Sequence, residues 1–235
     1  MNRVSVSDID RARHDMIRSN TLSKIRMPDA VIYPEKESEV KHLVLLANAE
    51  NWCLINPLWR ITNVCHATWS PAKDQDPDPR AMISIDMKRL NRILMINEED
   101  LTIHVQAGIT GGDLVREMNS RGVPIGHEPD SIEFSTLGGW IATKASGMKQ
   151  NKYGNIEGIV KEVHVVSTKG NLWQHSKDDG SSFERVSTGT DLAALIFGSE
   201  GSRENLAAAE QKRIRQYNFA IFKNVNRKKI DSTTE

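Results

Sequence analysis

Gly126-His127-Glu128-Pro129-Asp130-Ser131-Ile132-Glu133-Phe134-Ser135-Thr136-Leu137-Gly138-Gly139-Trp140 is the stretch on which the reading of this sequence turns. It mixes glycines, hydroxyls and short acids, and it lacks a long apolar run. Such residues let backbone N–H groups come close to a ligand and form anion-binding nests. Ser131, Ser135 and Thr136 add hydroxyl donors, and Thr143 adds another just downstream. A diphosphate or the edge of a heteroaromatic ring would suit such a surface. The same composition also suits a glycine-rich turn that serves packing alone, and composition does not choose between the two. The whole segment 124–158 is too long and too polar for a simple connector, so it is expected to wrap something.

Upstream of this stretch, strands and helices alternate. Val31-Ile32-Tyr33 reads as a short strand, and a helix follows from Ser38 with Val40, Leu43, Val44 and Ala47 on one stripe. Trp52-Cys53-Leu54-Ile55 is the next strand, then Met82-Ile83-Ser84-Ile85 and Leu101-Thr102-Ile103-His104-Val105, with Asn97 to Asp100 as a turn. Thr110 is placed to cap a helix that buries Leu114, Val115 and Met118 and stops at Gly122. Downstream, Val163 to Val166 and Leu172-Trp173 flank a Lys169-Gly170 turn and read as a hairpin. Asp191 heads a short helix ending at Gly198. Hairpins among the strand pairs favour an α+β fold over a doubly wound parallel sheet.

The composition excludes several functions. Of the 235 residues, 31 are basic and 31 acidic, so overall charge gives no argument for nucleic acid or an anionic membrane. No apolar run approaches the roughly 20 residues that span a bilayer, and Met1 to Ser5 carries no signal-peptide core. Cys53 and Cys65 match no metal spacing, and Cys53 is expected to be a buried thiol. His66, His104 and His127 have no ligand partner at a useful spacing and are expected to be structural. No Ser-His-Asp set can be argued from spacing.

The run from Pro129 to Trp140, with Ala145 to Lys149, Tyr153-Gly154-Asn155 and Gly198-Ser199-Glu200-Gly201, resembles the alkyldihydroxyacetonephosphate synthase family. These flavoproteins belong to the vanillyl-alcohol-oxidase, or PCMH-type, superfamily. Met27-Pro28-Asp29, Ser84-Ile85-Asp86, Asn91 to Leu94 and Ala107 to Gly111 extend the resemblance over about residues 4–201. It implies two α+β subdomains holding an extended FAD. The domain plan is then a helical segment at 1–26, the flavin domain at 27–201 and a basic, divergent tail at 202–235. The family exchanges the acyl group of acyl-dihydroxyacetone phosphate for a long-chain fatty alcohol, the step that makes the ether bond of ether lipids. The flavin is understood to hold the substrate through a ring nitrogen. Peroxisomal localisation, peripheral membrane association and a homodimer are implied by the resemblance alone; no Ser-Lys-Leu type of import signal is visible, which leaves a cytoplasmic location open.

The family's flavin contacts carry over onto Asp130, Ser131, Ile132, Glu133, Phe134, Ser135 and Thr136, onto Thr143, Lys144, Ala145 and Ser146, and onto Gly198, Ser199, Glu200 and Gly201. Lys144 stands where the family usually has arginine, which keeps the charge but loses the fork of donors. A fourth contact region, the diphosphate loop, matches only at Pro57, Thr62 and Asn63. Leu58-Trp59-Arg60-Ile61 replace its glycines, and Trp59 and Ile61 block the close backbone approach that phosphate needs. Arg60 can return one charge; the plainer reading is a loop that has lost its cradle, so FAD binding is expected to be weak. After Gly201 the resemblance stops. The residues from Ser202 include eight basic and four acidic side chains with a weak helical pattern, and are expected to pack poorly. The family's substrate half has no counterpart, so the chain alone is expected to be inactive. Two other functions remain open on sequence: a flavin-dependent 2-hydroxy-acid dehydrogenase, and a non-catalytic fragment that pairs with a full-length enzyme.

Overall fold

Met82 to Ile85 (β4) is buried along its whole length, Ser84 included, because the strand is flanked on both edges. The computed structural model describes residues 3–14, 27–55, 79–97, 102–166, 172–174, 196–199 and 221–225. In its first sheet, β4 lies between Ala30–Ile32 (β2) and Cys53–Ile55 (β3), parallel to both, and Val4–Ser5 (β1) runs antiparallel on the outer edge of β2. Parallel neighbours need crossovers, and Glu37–Ala49 (α2) supplies the one from β2 to β3. It buries Val40, Val44 and Ala47 against Leu54, Ile83 and Ile85, as the periodicity of the sequence requires. Asn51, in the left-handed region, ends the helix: the Trp52 N–H donates to the Ala47 carbonyl at 2.8 Å.

The second sheet is antiparallel throughout. Its order is Ile93–Asn97 (β5), Thr102–Gln106 (β6), Ile221–Val225 (β9), Val160–Val166 (β7) and Leu172–Gln174 (β8). Between β6 and β7 come Gly111–Ser120 (α3), Leu137–Ala142 (α4), Gln150–Tyr153 (α5) and Ile156–Ile159 (α6). Thr110 caps α3, its hydroxyl accepting from the Asp113 N–H at 3.2 Å. Gly122, at φ +69°, closes α3 and lets the Val123 N–H reach the Met118 carbonyl. Leu114 and Met118 join Val105, Leu137, Trp140, Ile141 and Val163 in the larger core.

Four expectations change. The N-terminal segment is not simply a lead-in helix: β1 joins the first sheet, and the short helix Asp8–Arg13 (α1) buries none of its residues. What anchors it is His14, 3 % exposed, whose Nε2 lies 3.0 Å from the fully buried Asp86 carboxylate. Ile93–Asn97 is a strand, and its pairing with β6 makes a hairpin that the polar Asn91 and Arg92 conceal in the sequence. Cys53 is half-buried rather than buried. The tail does not pack poorly throughout, since residues 221–225 form a central strand. The helix headed by Asp191 lies outside the described residues except for its end, a turn at 196–198.

Gly108 joins the two sheets. Its N–H donates to the Leu90 carbonyl at 2.8 Å, and a Cβ there would lie 1.8 Å from the Met87 carbonyl oxygen. Gly108→Ala is therefore expected to cost about 3 kcal/mol or more. Gly158, with nothing within 4 Å of its Cβ position, should tolerate alanine with a change below about 1 kcal/mol. Urea denaturation midpoints of the two variants check this.

Candidate cofactor site

The extended residues after β6 and the glycine-rich stretch are laced together by backbone hydrogen bonds. The N–H groups of Gly111 and Gly112 donate to the carbonyls of Ser135 (2.9 Å) and Ile132 (2.8 Å). In return the N–H groups of Leu137 and Gly138 donate to those of Ile109 (3.0 Å) and Ala107 (2.8 Å). Glycine is needed at 111 because a Cβ there would meet the Trp140 ring at 2.3 Å. Trp140 is itself fixed, its indole N–H donating to the Ser135 hydroxyl at 2.8 Å.

This seam holds Asp130 to Phe134 as a tight turn on the outside of the core. Ser131 sits in the left-handed region at φ 60°, and its carbonyl accepts from the N–H groups of Phe134 and Ser135. Among the described residues nothing accepts from the N–H groups of Ser131, Ile132 or Glu133. Three successive unpaired donors on a turn with a left-handed residue form a nest for an anion or a ring edge. Asp130, Glu133 and Phe134 are exposed beside it, Phe134 by 47 %.

Two of the other expected stretches meet at the end of α4. Lys144, at φ 53°, is the left-handed residue that closes this helix, with the Lys144 and Ala145 N–H groups donating to the Ile141 and Trp140 carbonyls. The Gly198 N–H donates to the same Ile141 carbonyl at 3.0 Å, and the Gly198 Cβ position is 3.5 Å from the Lys144 Cβ. Thr143 and Ser146 stand on either side, and Ser199 is buried. The Lys144 ammonium is 4.0 Å from Glu157. Pro57, Thr62, Asn63, Glu200 and Gly201 lie outside the described residues, as do Leu58 to Ile61.

One further residue borders this site, His127, which the sequence places among the structural histidines. His127 is 1 % exposed, packs edge-on against Trp140 at 5.1 Å, and has no hydrogen-bond partner at either ring nitrogen among the described residues. A buried polar ring without a partner is costly and suits a site that receives a polar group from outside the chain. Burial lowers the His127 pKa to about 4, against an opposing pull from the Glu157 charge, so the ring is neutral at physiological pH. The only hint in the sequence is its place beside Gly126, which has φ +77° and lies against the Tyr153 ring.

Residues 28–176 match the FAD binding domain family. The chain belongs to that family. FAD is its cofactor, and the unpaired N–H groups of 131–133 together with His127 fit a ligand rich in acceptors and ring edges. The fold is the PCMH-type α+β flavin fold. A solved alkyldihydroxyacetonephosphate synthase superposes on it with a TM-score of 0.72 at 27 % identity, over 96 % of this chain and 37 % of that one. A berberine bridge enzyme variant gives 0.66 at 20 % identity, over 95 % and 40 % of the two chains, and supports the fold alone. In sequence, the chain is 42 % identical to the alkyldihydroxyacetonephosphate synthase of Caenorhabditis elegans, over 86 % of this chain and 34 % of the relative. It is 34 % identical to that of Dictyostelium discoideum, over 86 % and 31 %. A glycolate oxidase subunit of Bacillus subtilis is 32 % identical over 75 % and 35 %. The chain thus spans about a third of the length of these relatives.

The neutral His127 gives a pH signature. Its folded pKa is depressed, so below about 6.5 the unfolded chain takes up a proton that the folded chain refuses. Stability from this group is present above about 6.5 and is lost as pH falls towards about 4. The urea midpoint should fall more steeply between pH 7 and pH 5 in the unaltered chain than in His127→Phe. Parallel pH profiles would contradict this assignment.

Proposed function

We propose that this chain is the FAD-binding part of an alkyldihydroxyacetonephosphate synthase-like enzyme of ether-lipid biosynthesis. The observation that carries the reading is the Pro129 to Trp140 run, folded as an anion nest with Thr143 to Ser146 and Gly198 gathered at the end of the same helix. The 42 % identity to a synthase, against 32 % to a glycolate oxidase subunit, supports the ether-lipid reading over the hydroxy-acid one. On this reading the full-length enzyme exchanges the acyl group of acyl-dihydroxyacetone phosphate for a fatty alcohol, in the peroxisome and at a membrane face. When bound, FAD supplies a nucleophilic ring nitrogen. The residues of this chain bind and orient that cofactor: Ser131 to Glu133 offer backbone donors, Lys144 offers a positive charge, and Trp140 and Ser135 keep the turn rigid.

Acyl–alkyl exchange needs the ester and the flavin held together. These 235 residues span about a third of the synthase relatives' length, and on this reading the purified chain alone should not transfer labelled hexadecanol into acyl-dihydroxyacetone phosphate. Detectable exchange would overturn this.

The diphosphate loop sets the affinity. With Leu58-Trp59-Arg60-Ile61 in place of glycines, two lost charge-assisted bonds would cost roughly 3–6 kcal/mol, or about two to four powers of ten in affinity. Replacing 58–61 with a glycine-rich loop should tighten FAD binding by at least a hundredfold, read by titration of flavin absorbance. Equal affinity in the two proteins would show that Arg60 or the 130–136 nest carries the cofactor without the loop.

A further inference from the structure

The second sheet is two hairpins that meet through a single strand. β5 pairs with β6 and β8 with β7, and β9 fills the space between β6 and β7, antiparallel to both. Phe222 stands opposite Val105 on one side and Val163 on the other; Lys223 stands opposite His104 and Glu162. The strand comes from Ile221–Val225, in the stretch after Gly201 where the family's sequence motifs stop. Each neighbour leads to the cofactor surface. β6 runs directly into Ala107 to Gly112, which carries the seam to residues 132–138. β7 issues directly from α6, whose Ile156 and Ile159 share a core with Leu137, Trp140 and Ile141 of α4.

We propose that the gap between β6 and β7 is a strand-accepting slot, and that residues 221–225 of the divergent tail are its occupant and fix the position of the FAD surface. Recognition in such a slot runs through the backbone: a central strand is hydrogen-bonded along both edges, so the requirement on sequence is an extended, proline-free segment. That explains how a tail without the family's motifs fills a central place in the sheet. It also makes the tail part of the cofactor-binding unit. This inference rests on the FAD surface and is independent of the ether-lipid reading.

The test uses the full chain and hydrogen exchange read by mass spectrometry. Without FAD, amides 222–225 should be protected to the same degree as those of β6 and β7. Exchange of 222–225 at the unfolded rate, with β6 and β7 still protected, would overturn the proposal. Phe222→Pro removes one ladder donor and should speed exchange at Gly111 and Gly112 at least tenfold and weaken FAD binding by a similar factor. Ser232→Pro, elsewhere in the tail, should leave both unchanged. Unchanged seam exchange in Phe222→Pro would refute the coupling whether or not FAD binds. If Phe222→Pro fails to fold, the unaltered chain still decides. Saturating FAD should slow exchange at 222–225, because coupling between the slot and the cofactor surface is reciprocal; no change on adding saturating FAD would count against it.

Discussion

The backbone seam between Ala107–Gly112 and Ile132–Gly138 is the constraint on which the rest of the site depends. Four hydrogen bonds of 2.8–3.0 Å cross it, two in each direction. They fix a glycine-rich stretch that has little apolar surface of its own to bury. Once the carbonyls of Ile132 and Ser135 and the N–H groups of Leu137 and Gly138 are tied down, the N–H groups of Ser131, Ile132 and Glu133 are left without an acceptor among the described residues. The glycines serve this close approach: at 111 a side chain would strike Trp140, and at 138 it would press on Ala107.

The two sheets solve different problems. The first is mixed and places its parallel strand β4 where both edges and both faces are covered, as parallel strands require. The second is antiparallel and carries the stretches Asp130–Thr136 and Thr143–Ser146 in the long excursion between β6 and β7. That excursion contains four helices, each too short to stand alone. α3 packs through Leu114 and Met118, and α4 and α6 through Leu137, Trp140, Ile141, Ile156 and Ile159, all in one core with strands of the second sheet. A site built this way is as rigid as the strands that open and close it.

Much of this was legible in the sequence, for physical reasons. The α2 stripe, the Thr110 cap and the Gly122 stop are local signals, and each appears where its chemistry places it. The glycine-rich stretch was recognisable because close backbone approach demands glycine. What escaped was long-range. His14 is held by Asp86, 72 residues away, and no local pattern announces that contact. Residues 221–225 form a strand through pairing with β6 and β7 rather than through a pattern of their own. His127 looked like an ordinary loop histidine, because burial without a partner leaves no mark in the sequence.

The central claim is that the unpaired donors of Ser131, Ile132 and Glu133 receive the cofactor. Amide hydrogen exchange at these three positions, measured by NMR with and without saturating FAD, tests it most directly. The account predicts fast exchange in the free chain and slowing of at least tenfold at all three when FAD is bound, with little change in the first-sheet amides of Ile83 and Ile85. FAD binding that leaves these three amides exchanging at their free rate would contradict it.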